Sequence, residues 1–249
     1  MRQGRRRAGC GVGLLAILVI VGSIVVWWVS PRVDLAALRA GPLVMEWASW
    51  RRQVEVWEGE GLHRRPEHVY RPLGEISENL VVAVLVGEDI DFFGHGAVDP
   101  REVWMVLREW RNAGRLRGAS TISQQVAKIL FLSAERSIGR KLEEARLAFW
   151  LERRLGKRRV LEIYLNTVEF GPGLFGAEAA AQHYCGCPAR ALSAEQAAAL
   201  AAAIPAPGRD NPDTATQKWR FRRDTVARRM QRATWLRTKL ADMTARSDP

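Results

Sequence analysis

Residues 117–128 read Arg-Gly-Ala-Ser-Thr-Ile-Ser-Gln-Gln-Val-Ala-Lys. The small residues make a turn and open a helix whose first backbone N–H groups are free to receive an anion. At helical spacing Ile122, Val126 and Ile129 form an inward stripe, while Gln124, Gln125 and Lys128 gather on another face. Amides that donate to and accept from hydroxyls, set beside an ammonium that binds phosphate, suit a sugar phosphate.

Working outward, the punctuation stays helical. Asp99, Pro100 and Glu102 supply an N-cap, a first-turn proline and a capping-box acid for a helix running through Trp104 and Leu107. Ser193 and Gln196 start an alanine-rich helix that Pro205 stops. Helices also fit 121–132, 138–155 and 158–165, and alternating strand patterns are scarce, so the class is mainly α.

Upstream, the apolar run 81–86 leads into Glu-Asp-Ile-Asp-Phe-Phe-Gly-His-Gly at 88–96. Partial desolvation at the end of a buried helix suits a carboxylate that takes up a proton, although an acid there also reads as an ion-pair partner. Downstream, Ser-Ile-Gly-Arg-Lys-Leu-Glu-Glu at 137–144 puts Arg140, Lys141 and Glu144 on one stripe, with Leu142, Ala145 and Phe149 available to the core.

The chain has 249 residues and a formal charge of +11, which calls for an anionic partner: nucleic acid, acidic lipid or a phosphorylated substrate. The first thirty residues narrow this. No charge falls between Arg7 and Arg32, and 11–29 is rich in Leu, Ile and Val, ending in Trp27 and Trp28. About 20 helical residues cross about 30 Å of hydrocarbon, and Arg2, Arg5, Arg6 and Arg7 hold the N-terminus in the cytoplasm. The run exceeds a signal-peptide core of about 7–15 residues, so an uncleaved single-pass anchor at 11–30 is expected, after a cytoplasmic segment 1–10. Then come a juxtamembrane connector 31–71 whose tryptophans lie on the membrane or on the domain, a helical domain 72–212, and a basic helix 213–249 near the domain or anionic headgroups. That topology sets nucleic acid aside as a partner.

In this order the motifs resemble the peptidoglycan glycosyltransferase family, and in particular its single-domain, membrane-anchored members. The pattern E-D-x-x-F with a following His is met by Glu88, Asp89, Phe92 and His95, and G-G-S-T-I-x-Q-Q by Gly118, Ser120, Thr121, Ile122, Gln124 and Gln125. R-K-x-x-E is Arg140, Lys141 and Glu144; K-x-x-I-L-E-x-Y-L-N is Lys157, Leu161, Glu162, Tyr164, Leu165 and Asn166; G-A-x-x-A is Gly176, Ala177 and Ala180. Ala97 and Ala119 stand where the family usually has glycine, at about 1 kcal/mol each if φ must be positive. Val160 replaces an isoleucine, and Cys185 and Cys187 replace an aromatic and a lysine. With His183 these cysteines lack a fourth metal ligand, and outside the cytoplasm they can join as a strained disulfide.

The resemblance implies a lysozyme-like, mainly α domain behind one N-terminal transmembrane helix, with the catalytic part periplasmic at a bacterial inner membrane. It implies polymerisation of lipid II into glycan, with inversion at C1 and release of undecaprenyl diphosphate. Glu88 would be the general base and Glu144 the acid that orients cations or the leaving group. Lys128, Arg136, Arg140 and Lys141 would meet the developing charge, while Asp89, Ser120, Gln124 and Gln125 position the sugars. Phe92, Thr121 and Asn166 are carried over as substrate-binding. No cofactor is required, and a divalent ion, Mg or Mn, near Glu144 stays open. Partners would be lipid II, the growing chain, inner-membrane lipids and other cell-wall synthesis or division proteins. The nucleotide-binding signature G-x-x-x-x-G-K-[ST] and the transpeptidase signatures S-x-x-K and K-T-G are missing from the sequence. A lytic glycan hydrolase of similar fold also explains Glu88, but leaves the cations at Lys128 and Arg140 without a task. An inactive scaffold would not need both acids.

Overall fold

The computed structural model describes residues 19, 22, 23, 26, 33, 35–42, 47–62, 65–100, 120–133, 135 and 137–245. The chain separates into a short unit, Met1–Ala36, and a compact unit, Ala37–Pro249. Among the described residues no helix is long and apolar enough to cross a membrane. Most of the expected span, 11–30, lies outside them, as does the expected helix beyond Pro100.

Eight α-helices and three short strands are described in the compact unit: α1 (Ala48–Gly59), β1 (Glu67–His68), α2 (Glu78–Glu88), α3 (Ile122–Phe131), α4 (Ile138–Thr167), β2 (Glu169–Gly171), β3 (Leu174–Phe175), α5 (Ala177–Cys185), α6 (Ala194–Ala203), α7 (Gln217–Arg232) and α8 (Thr234–Ala245). The strands form a small sheet in the order β1-β3-β2, β3 parallel to β1 and antiparallel to β2.

The centre is α2. Ser77 caps it by accepting from the Asn79 N–H and ties it down by donating to the Leu192 carbonyl at 2.9 Å. Every residue from Leu80 to Val86 is buried, so α2 is apolar all round and must be enclosed. It is flanked by α6 and α7. Ser193 and Gln196 form the expected capping box of α6, whose small side chains at Ala197, Ala198, Ala201 and Ala202 allow close approach. Trp219 of α7 fills the resulting space against Ala202 and Ala203, its indole N–H donating to the Ala199 carbonyl at 3.0 Å.

The long α4 packs along α3. It is two helical stretches broken at Gly156, whose φ of +73° only glycine adopts without strain, as the separate segments 138–155 and 158–165 anticipate. Its first stretch is rotated from the expected orientation. Leu142 and Phe149 face out, at 56% and 38% exposure, while Glu144, Leu147, Ala148 and Leu151 face in. Glu144 can be inside because it brings two cationic partners with it.

The part of the expected connector described from Ala37 onward is built into the compact unit. Arg159 donates to the carbonyls of Leu38 at 2.7 Å and Gly41 at 2.6 Å, and Glu162 accepts from the Tyr70 hydroxyl and the Leu73 N–H, both at 2.8 Å. Trp47 is buried edge-on against Trp50, His68 and Phe175, so of the two expected sites for these tryptophans this one sits on the domain. At the start of α5, Gly176 has φ +86°, and a Cβ there would lie 2.7 Å from the Asn166 carbonyl oxygen, which accounts for the glycine of G-A-x-x-A. Ala97 is outside the left-handed region, so alanine there is unstrained; Ala119 lies outside the described residues.

Candidate active site

Three carboxylates meet where α2 ends and α3 begins, and each is held differently. Asp89 turns inward and is 8% exposed. Its Oδ2 accepts from the Ile122 N–H at 2.9 Å, which places a negative charge at the N-terminus of α3, where the helix dipole favours it. Its Oδ1 pairs with His95 Nε2 at 2.6 Å, while His95 Nδ1 lies 2.6 Å from the Gly96 carbonyl. Both ring nitrogens therefore face acceptors, and only the imidazolium can donate twice. The bond to Asp89 accordingly pushes the histidine up to about 9, against burial.

Glu88, one residue earlier, emerges at the surface side of the same helix end. Gln125 Nε2 donates to its Oε2 at 3.0 Å, and Arg222 of α7 donates to its Oε1 at 2.6 Å. The Gln125 amide has one orientation because its oxygen accepts from the buried Tyr164 hydroxyl at 2.9 Å. Burial first, and then the nearby Glu88 charge, raise the Tyr164 phenol well above its ordinary value, so it stays protonated and donating.

Glu144 is 2% exposed. Arg140 donates to its Oε2 at 3.1 Å, and Lys141 donates to its Oε1 and also to the Ser120 hydroxyl at 2.8 Å. Ser120 joins the two acids, since its carbonyl accepts a long 3.5 Å bond from Gln125 Nε2. Glu88 and Glu144 are therefore linked through Gln125, Ser120 and Lys141 across the turn that starts α3. Lys128 completes the cluster; burial lowers its ammonium, with Arg140, Arg52 and Lys141 pushing the same way and Glu144 opposing. Arg140, Lys141 and Lys128 around the Glu144 carboxylate leave net positive charge, which suits a diphosphate. Each Glu144 oxygen accepts from a cation, Arg140 or Lys141, so a divalent ion at this carboxylate would have to displace one of them.

The profile of the transglycosylase family matches residues 57–231. The chain belongs to this family. Its relatives include biosynthetic peptidoglycan transglycosylases from Herminiimonas arsenicoxydans, 39% identical over 209 residues (82% of this chain, 84% of the relative), and Rhodospirillum centenum, 38% identical over 226 residues (91% and 90%). Another, from Ralstonia nicotianae, is 51% identical over 145 residues (57% and 61%). The matched stretch reaches beyond the expected 72–212 at both ends, into α1 and through most of α7.

Within this transglycosylase domain the residues singled out from sequence divide into two groups. Glu88, Ser120, Gln125, Lys128, Arg140, Lys141 and Glu144 come together as described. Asp89, Phe92, Thr121, Gln124 and Asn166 are buried supports. Gln124 and Thr121 form a reciprocal capping box, and the Thr121 hydroxyl donates to the Ala97 carbonyl at 2.6 Å. Gln124 thus does not share the outward face of Gln125. Phe92 lies under the Lys157 ammonium, 4.2 Å from its ring centre. The Asn166 side chain is spent on the backbone of Arg71 and Glu162. Arg136 lies outside the described residues. Cys185 and Cys187 are free thiols, and burial raises that of Cys185.

Sequence reasoning missed Arg222, Arg52 and the role of Tyr164. A signal for the first exists in hindsight. Arg222 and Arg229 fall seven residues apart on the helix face that carries the buried Val226.

Proposed function

We propose that the protein polymerises lipid II, a lipid-linked disaccharide diphosphate, into glycan strands. The observation that carries this is the link from Glu88, held by a neutral amide and one arginine, through Gln125 and Ser120 to the cationic cluster organised by Glu144. The acceptor's C4 hydroxyl gives its proton to Glu88 as its oxygen bonds to C1 of the donor chain. The bond from C1 to the diphosphate oxygen breaks, C1 inverts, and undecaprenyl diphosphate leaves against Lys128, Arg140 and Lys141. Membership of the transglycosylase family and the names of the relatives support this chemistry.

A single-pass anchor at 11–30 places the site on the outer face of the inner membrane, where such a donor is met; the uncharged stretch after Arg7 supports it. Purified full-length protein given lipid-linked disaccharide pentapeptide, without nucleotide, makes long glycan, and Glu88→Gln abolishes it with an unchanged circular dichroism spectrum. Shortening of preformed glycan strands would instead favour the hydrolase.

A further inference from the structure

The proposed bond changes give α7 no chemical step, yet α7 delivers a guanidinium to the candidate base. We propose that Arg222 is a positioning residue: it fixes the Glu88 carboxylate in the plane in which it receives the acceptor proton. This rests on the activity proposed above and extends it to a helix outside the five motifs.

Three observations carry it. First, the contact joins residues 134 positions apart, at 2.6 Å, with Glu88 only 11% exposed and Arg222 33%. A well-sheltered pair of this kind differs from the loose surface pairs that contribute little. Second, Arg222 also donates to the Gly87 carbonyl at 3.1 Å, and Arg229 donates to the Val86 carbonyl at 3.0 Å. Two arginines seven residues apart thus satisfy carbonyls that the end of α2 leaves free. Val226 lies between them, and a Cβ on Gly87 would meet its Cγ2 at 3.6 Å, so α7 is registered on the turn that carries Glu88. Third, Gln125 holds the other carboxylate oxygen. With one donor on each oxygen the carboxylate plane is set, and lone pairs remain for an incoming hydroxyl.

The two arginines separate this role from a structural one. Both brace α2, but of the two only Arg222 reaches Glu88. In the full-length protein, Arg222→Gln lowers kcat about 10- to 100-fold, the cost of a misplaced catalytic group, while KM stays within about twofold. Arg222→Lys, which keeps the charge, recovers part of kcat, and Arg229→Gln stays within about twofold of the parent. Equal losses in Arg222→Gln and Arg229→Gln, or full activity in Arg222→Gln, overturn the proposal. A readout independent of turnover is labelling of Glu88 by a water-soluble carbodiimide with glycine amide, followed by peptide mass. Labelling rises several-fold in Arg222→Gln alone; equal labelling in all variants overturns the proposal even if the protein makes no glycan. A parent that makes no glycan but shows the labelling difference refutes the proposed function and leaves the Arg222 contact standing.

Discussion

Glu88 and Glu144 are the same side chain, joined through Ser120, in opposite circumstances. Glu144 is enclosed and meets two cations from its own helix, three and four residues back, so its partners arrive with it as the helix forms. Glu88 is held by one amide from α3 and one arginine from α7, so its setting exists only once distant segments have packed. Each acid has one donor on each oxygen, but those on Glu144 are both cations, so in the proposed reaction it works through the cations it arranges; those on Glu88 are an amide and an arginine from other helices, and its remaining lone pairs face the acceptor hydroxyl. The proposed roles follow from the kind and origin of the partners.

The largest effects should fall on these two acids. Glu88→Gln removes the proton acceptor and should cost at least about 10³-fold in polymerisation. Glu144→Gln leaves Arg140, Lys141 and Lys128 without their counter-charge, and should cost about 10²-fold as they spread apart. The two should differ in kind: donor binding survives the first and weakens in the second, as titration with a non-reacting lipid diphosphate would report. Equal donor affinity in both variants would erase the contrast.

A smaller effect tests how Glu88 is held. Tyr164→Phe removes the donor that orients Gln125, letting the amide turn its oxygen toward the carboxylate. Activity should drop about 10-fold through misorientation, and stability by about 1 kcal/mol for the lost hydrogen bond, read from denaturant unfolding. Unchanged activity would mean that the amide orientation does not matter to the base.

Local signals made most of the described helices and part of the candidate site legible. The run at 81–86 had to be buried, the capping residues at Ser193 and Gln196 announced α6, and Gly156 broke α4 where the two expected segments part. Residues spaced three and four apart on one helix, such as Arg140, Lys141 and Glu144, were equally legible. The limit was reached wherever two readings share a pattern. Gln124 and Gln125 are adjacent amides, and only the packed turn shows that one caps α3 while the other meets Glu88. Leu142 and Phe149 keep helical spacing, but the stripe that faces inward is set by Glu144 and its partners. In α7, seven basic residues stand against one acid, and nothing local distinguishes Arg222 from the rest.

The third carboxylate sharpens the comparison at the smallest scale. Asp89 adjoins Glu88 in sequence, yet it binds an imidazolium and the N-terminus of α3, so it should act on stability more than on chemistry. His95 is raised from 6.5 to about 9, which means the folded state binds its proton more tightly than the unfolded chain does. The stabilisation is therefore complete below about pH 6.5 and is lost as pH climbs through about 9. Allowing for screening by water, the loss is on the order of 1–2 kcal/mol. Calorimetry at pH 6.5, 8 and 9.5 should show Tm falling for the parent, with a flatter profile for His95→Gln. If both fall in parallel, the His95 proton is not what holds Asp89 to the start of α3, and the bond to the Ile122 N–H must carry that junction alone.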